Sequence, residues 1–171
     1  RGGIAHFNNA LAMAYSKLDF NFKIFSFSLQ YPKFLFPGKS QYETGVAPLG
    51  INIYSIINSI NPFNWINIAR KINNERPDYI IIRYWLPFMA PCLGTIARLV
   101  SKKIKIIAIT DNIIPHEKRI GDHILTKYFL KRCDAFVTLS KSVLKDLSQF
   151  VDTDLKVFIP HPIYDIFGDK I

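Results

Sequence analysis

From Pro62 onward, the chain alternates short apolar runs with segments of helical periodicity, and this pattern constrains the fold most. The apolar runs are DYIIIRYW (78–85), IKIIAI (104–109), AFVTL (135–139) and LKVFI (155–159). Strands of a parallel sheet show such continuous apolar runs because helices cover both faces of the sheet. The alternation therefore predicts an α/β fold with a Rossmann-like, doubly wound parallel sheet.

The segments before and between these runs carry the spacing and end signals of helices. They are 61–75, 86–103, 121–133 and 141–150. Asn61 precedes Pro62, and Ser140 precedes the last segment, so both are predicted N-caps. Further upstream, the apolar spacing from Ile4 to Leu18 predicts a helix, and the aromatic-rich FKIFSFS (22–28) predicts a strand.

Residues 29–50, LQYPKFLFPGKSQYETGVAPLG, have no clear period and form a predicted long loop. PGKSQ (37–41) is not a P-loop, because position 33 is lysine where that motif needs glycine. YPKFLFPGK (31–39) mixes aromatic and basic residues, which suits peripheral contact with a membrane or a lipid-linked acceptor. The alternative is that its aromatic rings pack on their own domain.

The composition excludes several classes of protein. A chain of 171 residues with 49% hydrophobic residues can form one domain with a sizeable core, and it is too apolar to be disordered. No apolar run is long enough to cross a bilayer, and the first residues lack a signal-peptide pattern, so we expect a cytoplasmic location. Cys92 and Cys133 lie outside any CxxC pattern and are predicted to be buried in a reducing compartment.

The formal net charge of +9 is compatible with several anionic partners. The basic residues are scattered in pairs, and no recognition motif for nucleic acid accompanies them. We therefore expect no nucleic-acid partner, and we interpret most of the charge as solubilising residues at helix ends.

A polar segment directly follows one of the predicted buried strands. It reads TDNIIPHEKRIGD (110–122), and polar or aromatic residues also end the other strands at 83–85, 140–141 and 160–162. In open parallel sheets, ligands bind beyond the carboxyl ends of the strands, where helix N-termini favour anions. The pattern predicts the wall of a ligand cleft. The alternative is a solvated loop with a helix-capping aspartate.

Several motifs for metals and cofactors are absent or misplaced. The histidines at 6, 116, 123 and 161 do not have the spacing of a metal site. The DTD sequence at 152–154 precedes a predicted strand, at the opposite end from the carboxyl-end loops. GxGxxG is absent, which argues against a dinucleotide oxidoreductase. We therefore expect no metal and no cofactor.

Four segments together resemble the N-terminal domain of GT-B fold, family 4-like retaining glycosyltransferases. They are RGGIAHFNNALA, PDYIIIRYWLPFMAPCLGTIARL, DNIIPHEKRIGDHILTKYFLKRCDAFVTLS and IPHPIYDIFG, in this order. The resemblance implies a single acceptor-side domain over 1–171. It also implies an enzyme whose first strand and C-terminal donor-binding domain are missing from this chain, so we expect the chain alone to be inactive.

The resemblance also implies candidate site residues. Asp111 and His116 are the catalytic candidates, although many relatives have a histidine at the position of Asp111. The glycine pair matches a loop near the donor phosphates and the acceptor. The candidate substrate-binding residues are Gly2, Gly3, Arg83, Trp85, Asn112, Glu117, Lys118, Arg119 and His161.

The implied activity is transfer of a hexose from a nucleotide sugar to a glycan or lipid-linked acceptor, in polysaccharide biosynthesis at the inner face of the membrane. Such enzymes generally need no metal. The alternative is a non-catalytic domain that kept the fold and binds a ligand or partner, and the aspartate at position 111 keeps this alternative open.

Overall fold

The computed structural model describes residues 3–32, 50–115 and 119–161. The chain divides into two compact units, Arg1–Ile68 and Ala69–Ile171, which are described separately below. The predicted loop motifs at 31–39 and 37–41 lie almost entirely outside the described residues.

The first unit contains one helix and a pair of parallel strands before the start of a second helix. These elements are α1 (Gly3–Lys17), β1 (Ile24–Leu29), β2 (Ile53–Asn58) and the beginning of α2 (Pro62–Glu75). The strands pair in parallel from Ile24 opposite Ile53 to Leu29 opposite Asn58. The helix and first strand agree with the sequence, whereas β2 was not predicted.

Helix α2 begins where the sequence predicts. The Oδ1 of Asn61 accepts hydrogen bonds from the backbone N–H groups of Phe63 and Asn64, at 3.0 and 3.2 Å. These bonds satisfy amides that have no partner inside the helix, and Pro62 occupies the first turn, where its missing N–H has no consequence.

The second unit is a four-stranded parallel sheet with helices between successive strands. Its strands are β3 (Tyr79–Tyr84), β4 (Lys105–Thr110), β5 (Ala135–Thr138) and β6 (Lys156–Phe158), in the order β3-β4-β5-β6. Its helices are α3 (Ala90–Leu99), α4 (Asp122–Leu130) and α5 (Lys141–Leu147). The predicted parallel α/β class is confirmed, although the described strands form two separate sheets.

The helix predicted over 86–103 is shorter than expected. A 3₁₀ turn covers Pro87–Met89, α3 begins at Ala90, and the chain leaves the helix at Val100 with an extended backbone. Pro91 explains the late start, because proline lacks the N–H that a helix interior needs and is tolerated only in the first turn.

Most of the buried strand residues of this unit lie on one face of the sheet. Alternate side chains of β3 and β4, including Tyr84 and Ile106, are fully buried there. The ring of Tyr84 stacks on Phe129 of α4 at a centroid distance of 4.5 Å, and its hydroxyl lies 3.0 Å from the Thr126 Oγ1. Helix α4 is therefore fixed to the sheet by both apolar and polar contacts.

Helices α3 and α4 approach closely at Gly94. A Cβ atom at this position would lie 2.7 Å from the Cε1 of Tyr128, so only glycine fits without a shift. The Tyr128 hydroxyl lies 2.9 Å from the Thr95 Oγ1, and the guanidinium of Arg98 lies 3.7 Å from the centre of the Tyr128 ring. These contacts hold the tyrosine in place between the two helices.

Candidate functional site

The carboxyl ends of the four strands in the second unit lie at one edge of the sheet. Tyr84 pairs with Thr110, Thr110 with Thr138, and Thr138 with Phe158. The segments that follow these four residues therefore lie along the same edge, which we call the carboxyl-end rim. As the sequence predicts, the rim includes the end of RYW, the start of TDNIIP, residues 140–141, and the described part, 160–161, of the segment at 160–162.

A bidentate ion pair between Arg83 and Asp111 is the main polar feature of this rim. The Arg83 Nε donates to the Asp111 Oδ2 at 2.6 Å, and the Arg83 Nη2 donates to the Asp111 Oδ1. The side chains are only 7% and 19% exposed, respectively. Paired hydrogen bonds between a guanidinium and a carboxylate are strong and directional, so they fix the orientation of both groups.

Sheet geometry explains why these two residues meet. Arg83 is one residue before the end of β3, and Asp111 is the first residue after β4. Arg83 and Tyr84 are consecutive, so their side chains lie on opposite faces of the sheet. The Asp111 N–H also donates to the Tyr84 carbonyl at 3.0 Å, which continues the ladder by one residue. The loop after β4 therefore starts from a fixed position.

Tyr84 belongs to the core and does not face the rim. Burial raises the pKa of its hydroxyl above the ordinary value of 10, although the hydrogen bond to Thr126 acts in the opposite direction. A buried phenol of this kind has no access to a ligand. Trp85, the next residue, is half-buried and remains a candidate for contact with a sugar.

The loop after Asp111 combines a buried anchor with polar residues. Asn112 is half-buried, and Ile113 is 1% exposed and fixes the loop to the core. Asp122 is the first residue of α4, and its Oδ2 accepts a hydrogen bond from the Arg119 N–H of the preceding turn at 2.8 Å. The N-cap of α4 is Gly121, and no side chain caps the helix, so the helix-capping aspartate of the alternative interpretation is not found.

The other candidate residues differ in how far the structure describes them. Gly3 is the exposed first residue of α1 in the first unit, and nothing lies within 4 Å of an added Cβ. Arg119 and His161 are exposed in the second unit. Gly2, His116, Glu117 and Lys118 lie outside the described residues, so their roles remain predictions.

Ser140 is a helix cap, as the sequence favours. Its Oγ accepts a hydrogen bond from the Val143 N–H at 3.2 Å. The DTD sequence precedes β6, with the Thr153 Oγ1 accepting from the Leu155 N–H at 3.2 Å, so it forms a turn at the amino end of the strand. Within the described residues, no group of three His, Cys, Asp or Glu side chains is arranged to hold a metal ion.

Cys92 is buried, as predicted, whereas Cys133 is half-buried, with its thiol 3.7 Å from the Phe129 carbonyl oxygen. Burial raises the pKa of Cys92 to about 12 and that of Cys133 to about 12. For Cys133, the nearby Arg132 acts in the opposite direction but does not overcome burial. Neither thiol is a candidate nucleophile, because the reactive form of cysteine is the thiolate.

A cavity of about 760 Å³ lies at the opposite edge of the same sheet. Its lining includes Arg76, Tyr79, Lys103 and Lys105, at the amino ends of β3 and β4. Ligands of open parallel sheets bind beyond the carboxyl ends. We therefore place the candidate site at the rim with the Arg83–Asp111 pair and not in this cavity.

Comparison with known families decides the assignment. A sequence model of the family described as Glycosyltransferase Family 4 matches residues 1–164. The chain belongs to glycosyltransferase family 4. No curated protein matches the sequence closely enough to be compared with it. The Rossmann-like α/β class and the family 4 resemblance are thereby confirmed. The roles of individual site residues remain predictions.

The sequence identified both members of the ion pair but not their contact. The sequence does contain a signal for this contact, because two residues of opposite charge lie at the ends of consecutive parallel strands. Their contact depends on the register of β3 against β4, in which Arg83 lies beside Ile109.

No helix among the described residues is both long enough and apolar enough to cross a membrane.

Proposed function

We propose that this family 4 domain binds the acceptor in an enzyme that transfers a hexose from a nucleotide sugar to a hydroxyl group. The acceptor is a glycan or a lipid-linked sugar, and the donor is bound by a second domain. The Arg83–Asp111 pair on the carboxyl-end rim carries this proposal, because it offers a fixed carboxylate where ligands of such sheets bind.

The proposed role of Asp111 follows from its hydrogen-bonding capacity. An ionised carboxylate has about four acceptor positions, and a bidentate arginine occupies two of them. Asp111 is 19% exposed, so its remaining lone pairs can accept hydrogen bonds from acceptor hydroxyls. Orienting the attacking hydroxyl in this way lowers the entropic part of the barrier.

His116, Glu117 and Lys118 complete the proposed site together with Asn112 and Arg119. We propose His116 as a second catalytic residue, and the two cations as partners of phosphate charge on the donor or acceptor. In this mechanism, the departing diphosphate is stabilised by positive groups. We propose no metal and no cofactor, and we place the enzyme in the cytoplasm at the inner face of the membrane.

One observation favours a second candidate function, a domain that binds a ligand without catalysis. Asp111 stands where many relatives have a histidine, and its carboxylate is already engaged by Arg83. An ion pair of this kind can have a purely structural role, which is to hold the loop after β4 in place. Binding of a nucleotide sugar without turnover would support this alternative.

The test requires this domain joined to a donor-binding domain. Hydrolysis and transfer are measured with UDP-, GDP- and dTDP-hexoses, comparing the wild type with Asp111→Asn and His116→Ala. Loss of an orienting or transition-state contact reduces kcat/KM by about 100-fold or more. We expect a loss of this size for both variants.

Asp134→Asn provides a matched control. Like Asp111, Asp134 forms ion pairs, here with Lys105 and Arg132, and it accepts a hydrogen bond from the Ile106 N–H at 2.8 Å. It lies just before β5, away from the rim. Two results would contradict the proposed role of the rim: unchanged turnover in Asp111→Asn, or a loss of turnover in Asp134→Asn as large as that in Asp111→Asn.

A further inference from the structure

A second surface, separate from the Arg83–Asp111 pair, lies on the outward side of α4 and the turn before it. Ile120 and Ile124 are among the most exposed large apolar side chains that the structure describes, at 108% and 73% of their reference areas. Single exposed apolar residues are common on proteins and need no explanation. Two isoleucines four residues apart, next to two cations, form a more specific pattern.

Helical geometry places Ile124, Lys127 and Lys131 on one side of α4. The buried residues of α4 are Thr126, Phe129 and Leu130, which face the core. Ile124 and Lys127 are exposed and three residues apart, and Lys131, four residues further, is exposed as well. Residues at these spacings lie on the same helix face, so the isoleucine and both lysines point away from the core.

The charges on this surface have one sign. Lys127 and Lys131 are exposed, and no ion pair joins either of them to an acidic side chain within the described residues. Asp122 is the one acidic residue between 119 and 131, and its Oδ2 accepts from the Arg119 backbone N–H. The surface therefore presents two apolar side chains beside two cations.

We propose that these four residues, which we call the α4 surface, dock the protein on a lipid bilayer that contains anionic phospholipids. The α4 surface consists of Ile120, Ile124, Lys127 and Lys131. Isoleucine side chains enter the boundary between headgroups and acyl chains, and cations meet the lipid phosphates. An anionic bilayer offers both an apolar interior and negative phosphates, so it can bind these apolar and positive groups without a complementary protein surface. The contact would be peripheral and does not depend on glycosyl transfer.

The first experiment measures sedimentation of the protein with vesicles and contains no sugar. Vesicles of phosphatidylcholine alone are compared with vesicles that also contain phosphatidylglycerol. Each basic residue near an anionic surface contributes about fivefold to binding, so Lys127→Glu/Lys131→Glu should weaken binding by about 25-fold or more. The wild type should bind the anionic vesicles preferentially, and added salt should weaken this binding.

The matched control is Lys141→Glu/Lys145→Glu on α5. These lysines are also exposed and four residues apart, so the control changes charge by the same amount at another surface. For the apolar part, Ile120→Ser/Ile124→Ser is compared with Leu155→Ser, because Leu155 is similarly exposed at 64%. Only the substitutions on the α4 surface should reduce vesicle binding by tenfold or more.

A second measurement places the contact directly. An environment-sensitive fluorophore attached to Ile124→Cys should shift to shorter wavelength when anionic vesicles are added, whereas the same fluorophore at Lys145→Cys should not. Cys92 is buried, Cys133 is half-buried, and the pKa of both thiols is raised by burial, so the introduced cysteine is the reactive one. Failure to bind vesicles, equal losses in the α5 control, or no fluorescence shift at position 124 would each overturn the proposal. So would tight self-association that the isoleucine substitutions abolish without any effect of lipid. Loss of transfer activity alone would leave it intact.

Discussion

Replacing Arg83 with methionine should destabilise the second unit by leaving a partly buried carboxylate without its partner. The side chains of Arg83 and Asp111 are 7% and 19% exposed. Removing one member of a buried pair costs about 3–5 kcal/mol, because the remaining charge stays desolvated. Since Asp111 keeps some access to water, we expect a loss at the lower end, about 3 kcal/mol of unfolding free energy.

The double variant Arg83→Met/Asp111→Leu separates the unpaired charge from lost packing. Replacing both members of a buried pair with apolar residues is often neutral or stabilising, because neither charge then needs solvation. We therefore expect the double variant to be more stable than Arg83→Met alone. This recovery is the signature of an unpaired charge.

Urea-induced unfolding provides the assay, with Lys105→Met as the control. Lys105 pairs with Asp134 at 3.6 Å, but these side chains are 59% and 32% exposed. An exposed pair contributes about 1 kcal/mol or less. If Arg83→Met is no less stable than Lys105→Met, or if the double variant is as unstable as the single one, the interpretation of the rim pair is wrong.

Three further substitutions test the packing and the buried thiols. Gly94→Ala should lower stability by about 1–3 kcal/mol in thermal unfolding, because the new Cβ would lie 2.7 Å from Tyr128. Ser140→Ala should lower it by about 1 kcal/mol in urea, because the first turn of α5 loses its cap. Burial raises the pKa values of Cys92 and Cys133 to about 12 from 9.0, so unfolded thiols ionise first as pH rises. Stability should fall from pH 9 towards pH 12, and Cys92→Ala should flatten this slope.

Each of these expectations has a clear opposite result. Gly3→Ala is the control for the glycine, since nothing lies within 4 Å of an added Cβ there. Equal melting temperatures for Gly94→Ala and the wild type would contradict the close approach of α3 and α4. An unchanged urea midpoint would contradict the capping role of Ser140. A flat stability profile above pH 9 would contradict the buried state of the thiols.

Local patterns were sufficient to predict most of the second unit. Four apolar runs predicted the strands β3 to β6, and the capping serine, Ser140, predicted the start of α5. These features depend on neighbouring residues and on burial, which a sequence displays directly. The segment of β2 was missed because INIYSIIN interrupts its apolar residues with asparagine and serine, although its isoleucines favour a strand.

Features that depend on tertiary contact were not predictable in the same way. The end of α3 at Leu99 and its late start reflect Pro91 and the turn that leads to β4. The Arg83–Asp111 contact requires the register of two strands whose residues lie 28 positions apart. The α4 surface was not predictable from the sequence, because helical spacing alone does not distinguish the exposed Ile120 and Ile124 from residues of the core.

Amide hydrogen exchange with and without the bound acceptor tests the central claim most directly, namely that the carboxyl-end rim binds the acceptor. The measurement uses the domain joined to the proposed donor-binding domain, together with an acceptor that supports turnover. We expect slower exchange at residues 110–114 and 159–161, and no change at residues 101–105 beside the amino-end cavity. Protection at 101–105 with none at 110–114 would contradict it.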